Sequence, residues 1–119
     1  MTTRTAIFKY IEDNFGVTPE FPFKKYPRYT ALKNRHGKWF GLVMNVPAQK
    51  LGLSGTTDLE ILDIKVDPEF GELLRSKSGF LPAYHMNKEH WLSMVLDKAT
   101  DEALLFQLLD DSYNLVINN

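Results

Sequence analysis

Between residues 21 and 57 the chain carries Lys24, Lys25, Arg28, Lys33, Arg35, Lys38 and Lys50 and not one acid. Ammonium and guanidinium groups donate to phosphate oxygens wherever they can reach them, and the Arg35 guanidinium adds the planar fork that reads a base edge. Lys33, Arg35, His36 and Lys38 flank a His36-Gly37 turn. Those four side chains would stand on a hairpin tip narrow enough to act as a wing in a groove of DNA, with Lys24, Lys25 and Arg28 holding phosphates beside it. Residues 58–72 are the opposite, dominated by Asp58, Glu60, Asp63, Asp67, Glu69 and Glu72. With 14 Lys and Arg against 15 Asp and Glu, the formal net charge is −1. Nucleic-acid contact would therefore need one basic face. A merely solvated surface accounts for the same clusters unless the cations converge in space.

A second constellation is the run Pro82-Ala83-Tyr84-His85-Met86-Asn87-Lys88-Glu89-His90-Trp91. As a recognition surface, Tyr84, His85, Asn87, Lys88 and His90 would present polar groups beside an aromatic floor that includes Trp91, suited to a phosphate, a peptide or a small polar ligand. The competing reading is structural: Pro82, Tyr84 and Trp91 pack while His85 and Asn87 tie down a sharp connection. His85, Glu89 and His90 are metal-ligand types, but their spacing does not converge. In an extended segment the two histidines point to opposite faces, and in a helix His90 leaves the side shared by His85 and Glu89. No metal or cofactor is expected. Nor does an enzyme follow, because the sequence has no Gly-rich phosphate loop, no G-x-S-x-G and no H-E-x-x-H.

The elements that must position these residues follow from periodicity. Thr3 is placed to cap a first helix whose inward stripe is Ile7, Tyr10, Ile11 and Phe15, stopped by Gly16. Pro19, Pro22 and Pro27 forbid regular structure over residues 17–28, an extended loop anchored by aromatic rings. Residues 29–35 and 38–46 read as a hairpin, with Phe40, Leu42, Met44 and Val46 sharing a face of the second strand. Residues 47–57 look like a mobile connection. A third strand over residues 59–66 points Leu62, Ile64 and Val66 inward, and Asp67-Pro68 opens a short helix with Phe70, Leu73 and Leu74 as its buried stripe. Trp91 to Leu96 alternates as a strand with both faces covered. Thr100 is placed to cap a last helix with the stripe Leu105, Leu108, Leu109, Ser112 and Val116.

The order is α-β-β-β-α-β-α, which implies an α+β domain with a mostly antiparallel sheet and the N- and C-terminal helices packed on one face. A chain of 119 residues fits a single domain spanning 1–119. The absence of cysteine suits a reducing cytosol, and neither a signal peptide nor a membrane span is visible.

The segment Pro82 to Trp91 resembles the PAYHMNKxHW signature of the MmcQ/YjbR family of small bacterial proteins. Gly37-Lys38-Trp39-Phe40, the run from Leu92 to Asp97 and the Ser112-Tyr113 pair match in order along the chain. The resemblance implies a CyaY-like, double-wing two-layer architecture and a DNA-binding role. The expected function is thus non-catalytic binding in the cytoplasm by a monomer, with DNA as partner. The alternative is a small-ligand or protein-interaction module around the signature. A convex positive ridge would mark the first, and a concave aromatic pocket next to His85 the second.

Overall fold

The strands of this protein are apolar on both faces, so the sheet they form must be covered twice. In the computed structural model, which describes residues 4–97 and 100–117, β1 (Thr30–Lys33), β2 (Trp39–Pro47), β3 (Asp58–Lys65), β4 (Phe80–Pro82) and β5 (Trp91–Leu96) lie in the order β1-β2-β3-β5-β4. Every pairing is antiparallel. Three helices, α1 (Arg4–Phe15), α2 (Pro68–Arg75) and α3 (Glu102–Ile117), complete an α+β fold. None is long and apolar enough to cross a membrane.

One face is the helix side. Ile7 and Ile11 of α1 and Leu105, Leu108, Leu109 and Val116 of α3 pack with Leu32, Val43, Leu62, Ile64, Leu92 and Met94 into the main core. Two stacked ring pairs bind the helices to each other, Tyr10 on Phe106 at 4.2 Å and Phe15 on Tyr113 at 4.1 Å. Gly16 ends α1 as expected: its φ of 68° lets its own N–H reach Glu12 O while Val17 N–H reaches Ile11 O. Among the described residues no α-helix covers the opposite face. Leu42, Met44, Val46 and Ile61 are instead covered by Phe23, Tyr29, Trp39, Leu51, Tyr84 and Met86, mostly from loops.

Several expectations are corrected by packing. Phe40 does not share a face with Leu42, Met44 and Val46, because the β1/β2 register slips between Leu32 and Lys33 and turns Phe40 to the helix side. The three-residue β4 carries too little sequence to announce itself, yet it forms the sheet edge opposite β1. Of the stripe assigned to α2 only Leu74 is buried, whereas Phe70 and Leu73 are exposed. The helix sits down on Gly71, where an added Cβ would lie 2.7 Å from Val66. Residues 47–57 are tied down by a 3-10 turn (Ala48–Leu51) and by Ala48 N–H to Thr57 O. Asp101, not Thr100, caps α3, its carboxylate accepting Leu104 N–H at 3.1 Å. The Thr3 cap lies outside the described residues.

The same slip explains a buried serine. The β2/β3 ladder runs to Gly41↔Ile64, so Phe40 and Lys65 would form the next pair. There the Ser112 hydroxyl of α3 intervenes, donating to Phe40 O at 2.6 Å and accepting Lys65 N–H at 2.9 Å. It stitches the C-terminal helix into the sheet at a fully buried position. Ser112→Ala strands both backbone groups, and at about 1–3 kcal/mol for each urea unfolding should show a loss of at least ~2 kcal/mol. A loss below ~0.5 kcal/mol would show that the bridge contributes nothing.

Candidate binding cleft

The loop ahead of β1 and the connection between β4 and β5 are distant in sequence but both must lie on the helix-free face. Phe23 and Tyr29 anchor the first; Tyr84 and Met86 anchor the second. Where they meet, a cleft of about 260 Å³ opens beside the start of β1, lined by Lys25, Tyr26, Arg28, Tyr29, Lys50 and Tyr84. Tyr26 and Tyr29 are stacked at 4.7 Å, and the Tyr84 ring rests against the His85 imidazole at 3.9 Å. Part of the basic segment and part of the signature thus share one concave, aromatic surface. A larger groove of about 530 Å³ runs between α2 and α3, but its walls are mainly apolar and Asp67 and Asp111 face one Lys65.

The seven cationic candidates do not all gather there. Lys24 and Lys25 are exposed in the turn that Tyr26 N–H closes on Phe23 O. Arg28 lines the cleft and also pairs with Glu60. Arg4 takes the same carboxylate through Nε at 2.9 Å and Nη2 at 2.8 Å. Burial alone would raise the Glu60 carboxyl, but the hydrogen bonds and charges of Arg4 and Arg28 outweigh it and hold it below the usual range. Two guanidinium groups on one carboxylate leave the cluster positive. Lys33 reaches Glu20 at 3.4 Å and lies over the Trp39 ring.

The hairpin tip is compact. Asn34 binds Lys38 through both backbone and side chain, and its carboxamide oxygen also accepts His36 N–H. Gly37 supplies the expected positive φ of 80°. Arg35, His36 and Lys38 are exposed. The Arg35 guanidinium bends back to the end of α1, 3.6 Å from where a Cβ on Gly16 would be. None of these tip side chains lines the cleft.

In the signature segment Asn87 folds the turn, its side-chain oxygen accepting Glu89 N–H at 2.9 Å and His90 N–H at 3.2 Å. Lys88 donates to Ala83 O at 3.0 Å, and Trp91 is buried. His85, Glu89 and His90 are exposed. Among the described residues no three His, Asp or Glu side chains cluster as metal ligands. His85 takes a φ of 63°, the sole positive φ at a non-glycine among the described residues. The bend turns the chain just beyond Tyr84.

Beneath this segment lies a carboxyl that stands out in the sequence only as one acid of the 58–72 stretch. Asp63 of β3 and Ser93 of β5 are cross-strand partners, and both are fully buried. The Ser93 hydroxyl donates to Asp63 Oδ1 and accepts Tyr84 N–H at 2.9 Å, while Asp63 Oδ2 is buried without a partner. Burial pushes the carboxyl up to about 7, although the Ser93 hydrogen bond and the Lys88 charge pull the other way. Alternation along β3 was the available signal, since Leu62 and Ile64 on the helix side place Asp63 on the other face. Tyr26 and Tyr29 carry no such signal, and Lys50 stands out only by its charge. Tyr26 and Lys50 lie in segments without periodicity and Tyr29 at the start of a strand, so nothing but folding brings them together.

Solved and curated proteins share this framework. A YjbR family model matches residues 14–115. The chain belongs to the YjbR family. Over 116 residues, 97% of this chain and 98% of the relative, it is 42% identical to the uncharacterized protein YyaQ of Bacillus subtilis. The uncharacterized protein YjbR of Escherichia coli is 36% identical over 58 residues, about half of each chain. A Pseudomonas syringae crystal structure superposes with a TM-score of 0.91 at 35% identity, covering 96% of this chain and 98% of that one. For a Deinococcus radiodurans crystal structure the TM-score is 0.74 at 27% identity, covering 98% and 79%. This YjbR-family fold thus recurs with its sheet and helices in place.

The buried carboxyl has a consequence for stability. The folded protein keeps the Asp63 proton up to about 7, whereas the ordinary carboxyl releases it near 3.8. Its contribution is therefore complete below the lower value and falls away as pH rises to the upper one. Glu60 acts in the opposite sense, but equally in wild type and in Asp63→Asn. By calorimetry the wild type should lose Tm relative to Asp63→Asn between these pH values. From below pH 3.8 to pH 8 the stability difference should move in the variant's favour by on the order of 4 kcal/mol. A constant difference across the range would contradict this.

Proposed function

We propose that this protein is a non-catalytic DNA-binding protein that engages unpaired bases and their phosphates at the cleft on the helix-free face. The convergence of Lys25, Arg28 and Lys50 with the rings of Tyr26, Tyr29 and Tyr84 carries this reading. A nucleic-acid strand offers a flat aromatic base and an anionic phosphate at every step. Aromatic faces beside lysines and arginines match both at once, with little dependence on sequence. A wing in a duplex groove, formed by Lys33, Arg35, His36 and Lys38, draws less support. Lys33 is engaged by Glu20, and the Arg35 guanidinium lies near Gly16 at the end of α1.

The concavity of the cleft favours a second reading, a small polar ligand bearing an anionic group, held at the same place. Fluorescence anisotropy separates the two. At low salt a single-stranded oligonucleotide should bind more tightly than a duplex of the same length or an unrelated polyanion, and a mononucleotide should compete only weakly. Tyr26→Ala should weaken single-strand binding about tenfold, the effect of one lost stack, and Lys25→Ala should lower the salt slope by ~0.7. Tight competition by the mononucleotide transfers the assignment to a small ligand. No binding at low salt, or equal slopes for all three polymers with no effect of Tyr26→Ala, removes DNA as the ligand.

A further inference from the structure

We propose that Asp63 is a positioning residue for the cleft, holding Tyr84 in its wall through the Ser93 hydroxyl, and that loss of its proton loosens that hold by disturbing the connection that carries Tyr84. The proposal rests on the cleft being the binding site, and it adds a proton-dependent control of that site.

Tyr84 is tied down at its backbone N–H by Ser93 Oγ, and the orientation of that hydroxyl is set in turn by Asp63 Oδ1. The other carboxyl oxygen is buried without a partner. A neutral acid tolerates that arrangement far better than a carboxylate, which requires hydrogen bonds or a counter-charge once removed from water. The groups that face it are few. Ser93 and Leu42 are its cross-strand neighbours. Lys88 and Tyr84 come from the connection above, and the Tyr29 phenol feels the Asp63 charge from the chain ahead of β1. Of these only Lys88 is positive, and its ammonium is already engaged by Ala83 O in the same connection.

Ionisation of Asp63 therefore draws either Lys88 or water inward. Lys88 moves with the β4–β5 connection itself, and water enters on the helix-free face that this connection and the chain ahead of β1 cover, because the sheet's other face is sealed by α1 and α3. Drawing Lys88 away from Ala83 O loosens the backbone next to Tyr84, where His85 already holds a φ of 63°. The new negative charge beside the cleft also repels an anionic ligand. Both effects have one sign: affinity falls as the carboxyl loses its proton.

The test is made on the whole chain, first without ligand. The 1H–15N resonances of Tyr84 and its neighbours, and their amide protection relative to the base-catalysed intrinsic rate, followed from pH 5.5 to 8.5, should show a transition near neutrality with lower Tyr84 protection on the alkaline side. Asp63→Asn keeps an oxygen acceptor for Ser93 and should abolish that transition, leaving Tyr84 protected throughout. Ser93→Ala should leave Tyr84 unprotected at every pH. A transition that survives in Asp63→Asn, or a Tyr84 amide that stays protected in Ser93→Ala, overturns the proposal. Single-strand binding is then compared at pH 6 and pH 8. The wild type should lose affinity about fivefold or more, and Asp63→Asn clearly less. The variant keeps every histidine, so a pH dependence of theirs remains in both proteins and cancels. If the oligonucleotide does not bind at all, DNA as the ligand fails while the amide measurements still decide the role of Asp63. Equal pH dependence of binding in the two proteins contradicts the control proposed here.

Discussion

A sheet with apolar side chains on both faces and helices on only one must find a second cover, and this constraint organises the molecule. The helix side is satisfied by α1 and α3, locked together by ring stacks and sewn to the sheet by Ser112. On the other side Leu42, Met44, Val46 and Ile61 are shielded by rings from the loop ahead of β1 and from the β4–β5 connection. Loops cannot seal a sheet as tightly as helices do. The place where two of them abut, lined with tyrosines and cations, is the cleft. Position and chemistry therefore have one origin: aromatic rings recruited to cover the sheet remain partly open to solvent where the cover is thinnest.

Charge follows the same geometry. Seven cations in the basic segment are spread over the β1 edge and its surroundings, and the fold draws Arg28 into an ion pair with Glu60 and Lys33 into one with Glu20. Glu60 comes from the acidic stretch, so the linear separation of sign along the chain is partly undone in space. What remains beside the tyrosines is a modest positive field from Lys25, Lys50 and the pair of arginines around Glu60. A field of that size suits a ligand held by stacking and phosphate contact together, rather than one held by charge alone.

Much of the fold was legible in the sequence because long periodic segments leave few choices. The stripes of α1 and α3, the inward set Leu62, Ile64 and Val66, and the Gly16 and Gly37 turns all appear where spacing placed them. The misses share a cause. Phe40 changes sides through a one-residue slip that alternation cannot reveal, and β4 is too short to show a period. Phe70 and Leu73 are left outside because Gly71, with no side chain, sets how closely α2 sits. The site was less legible still. Tyr84 and Lys25 were named for separate reasons, but their meeting depends on which face each loop covers. Asp63 and Ser93 gain meaning only as cross-strand neighbours under Tyr84.

In the function proposed for this protein, the basic segment and the signature act as one binding surface on the helix-free face. Chemical-shift mapping with a short single-stranded oligonucleotide addresses it most directly. Residues 24–29, Lys50 and Tyr84 should respond together with a common affinity, while the 34–38 turn and α2 stay unchanged. Perturbations confined to the 34–38 turn, or to the groove between α2 and α3, would contradict the account.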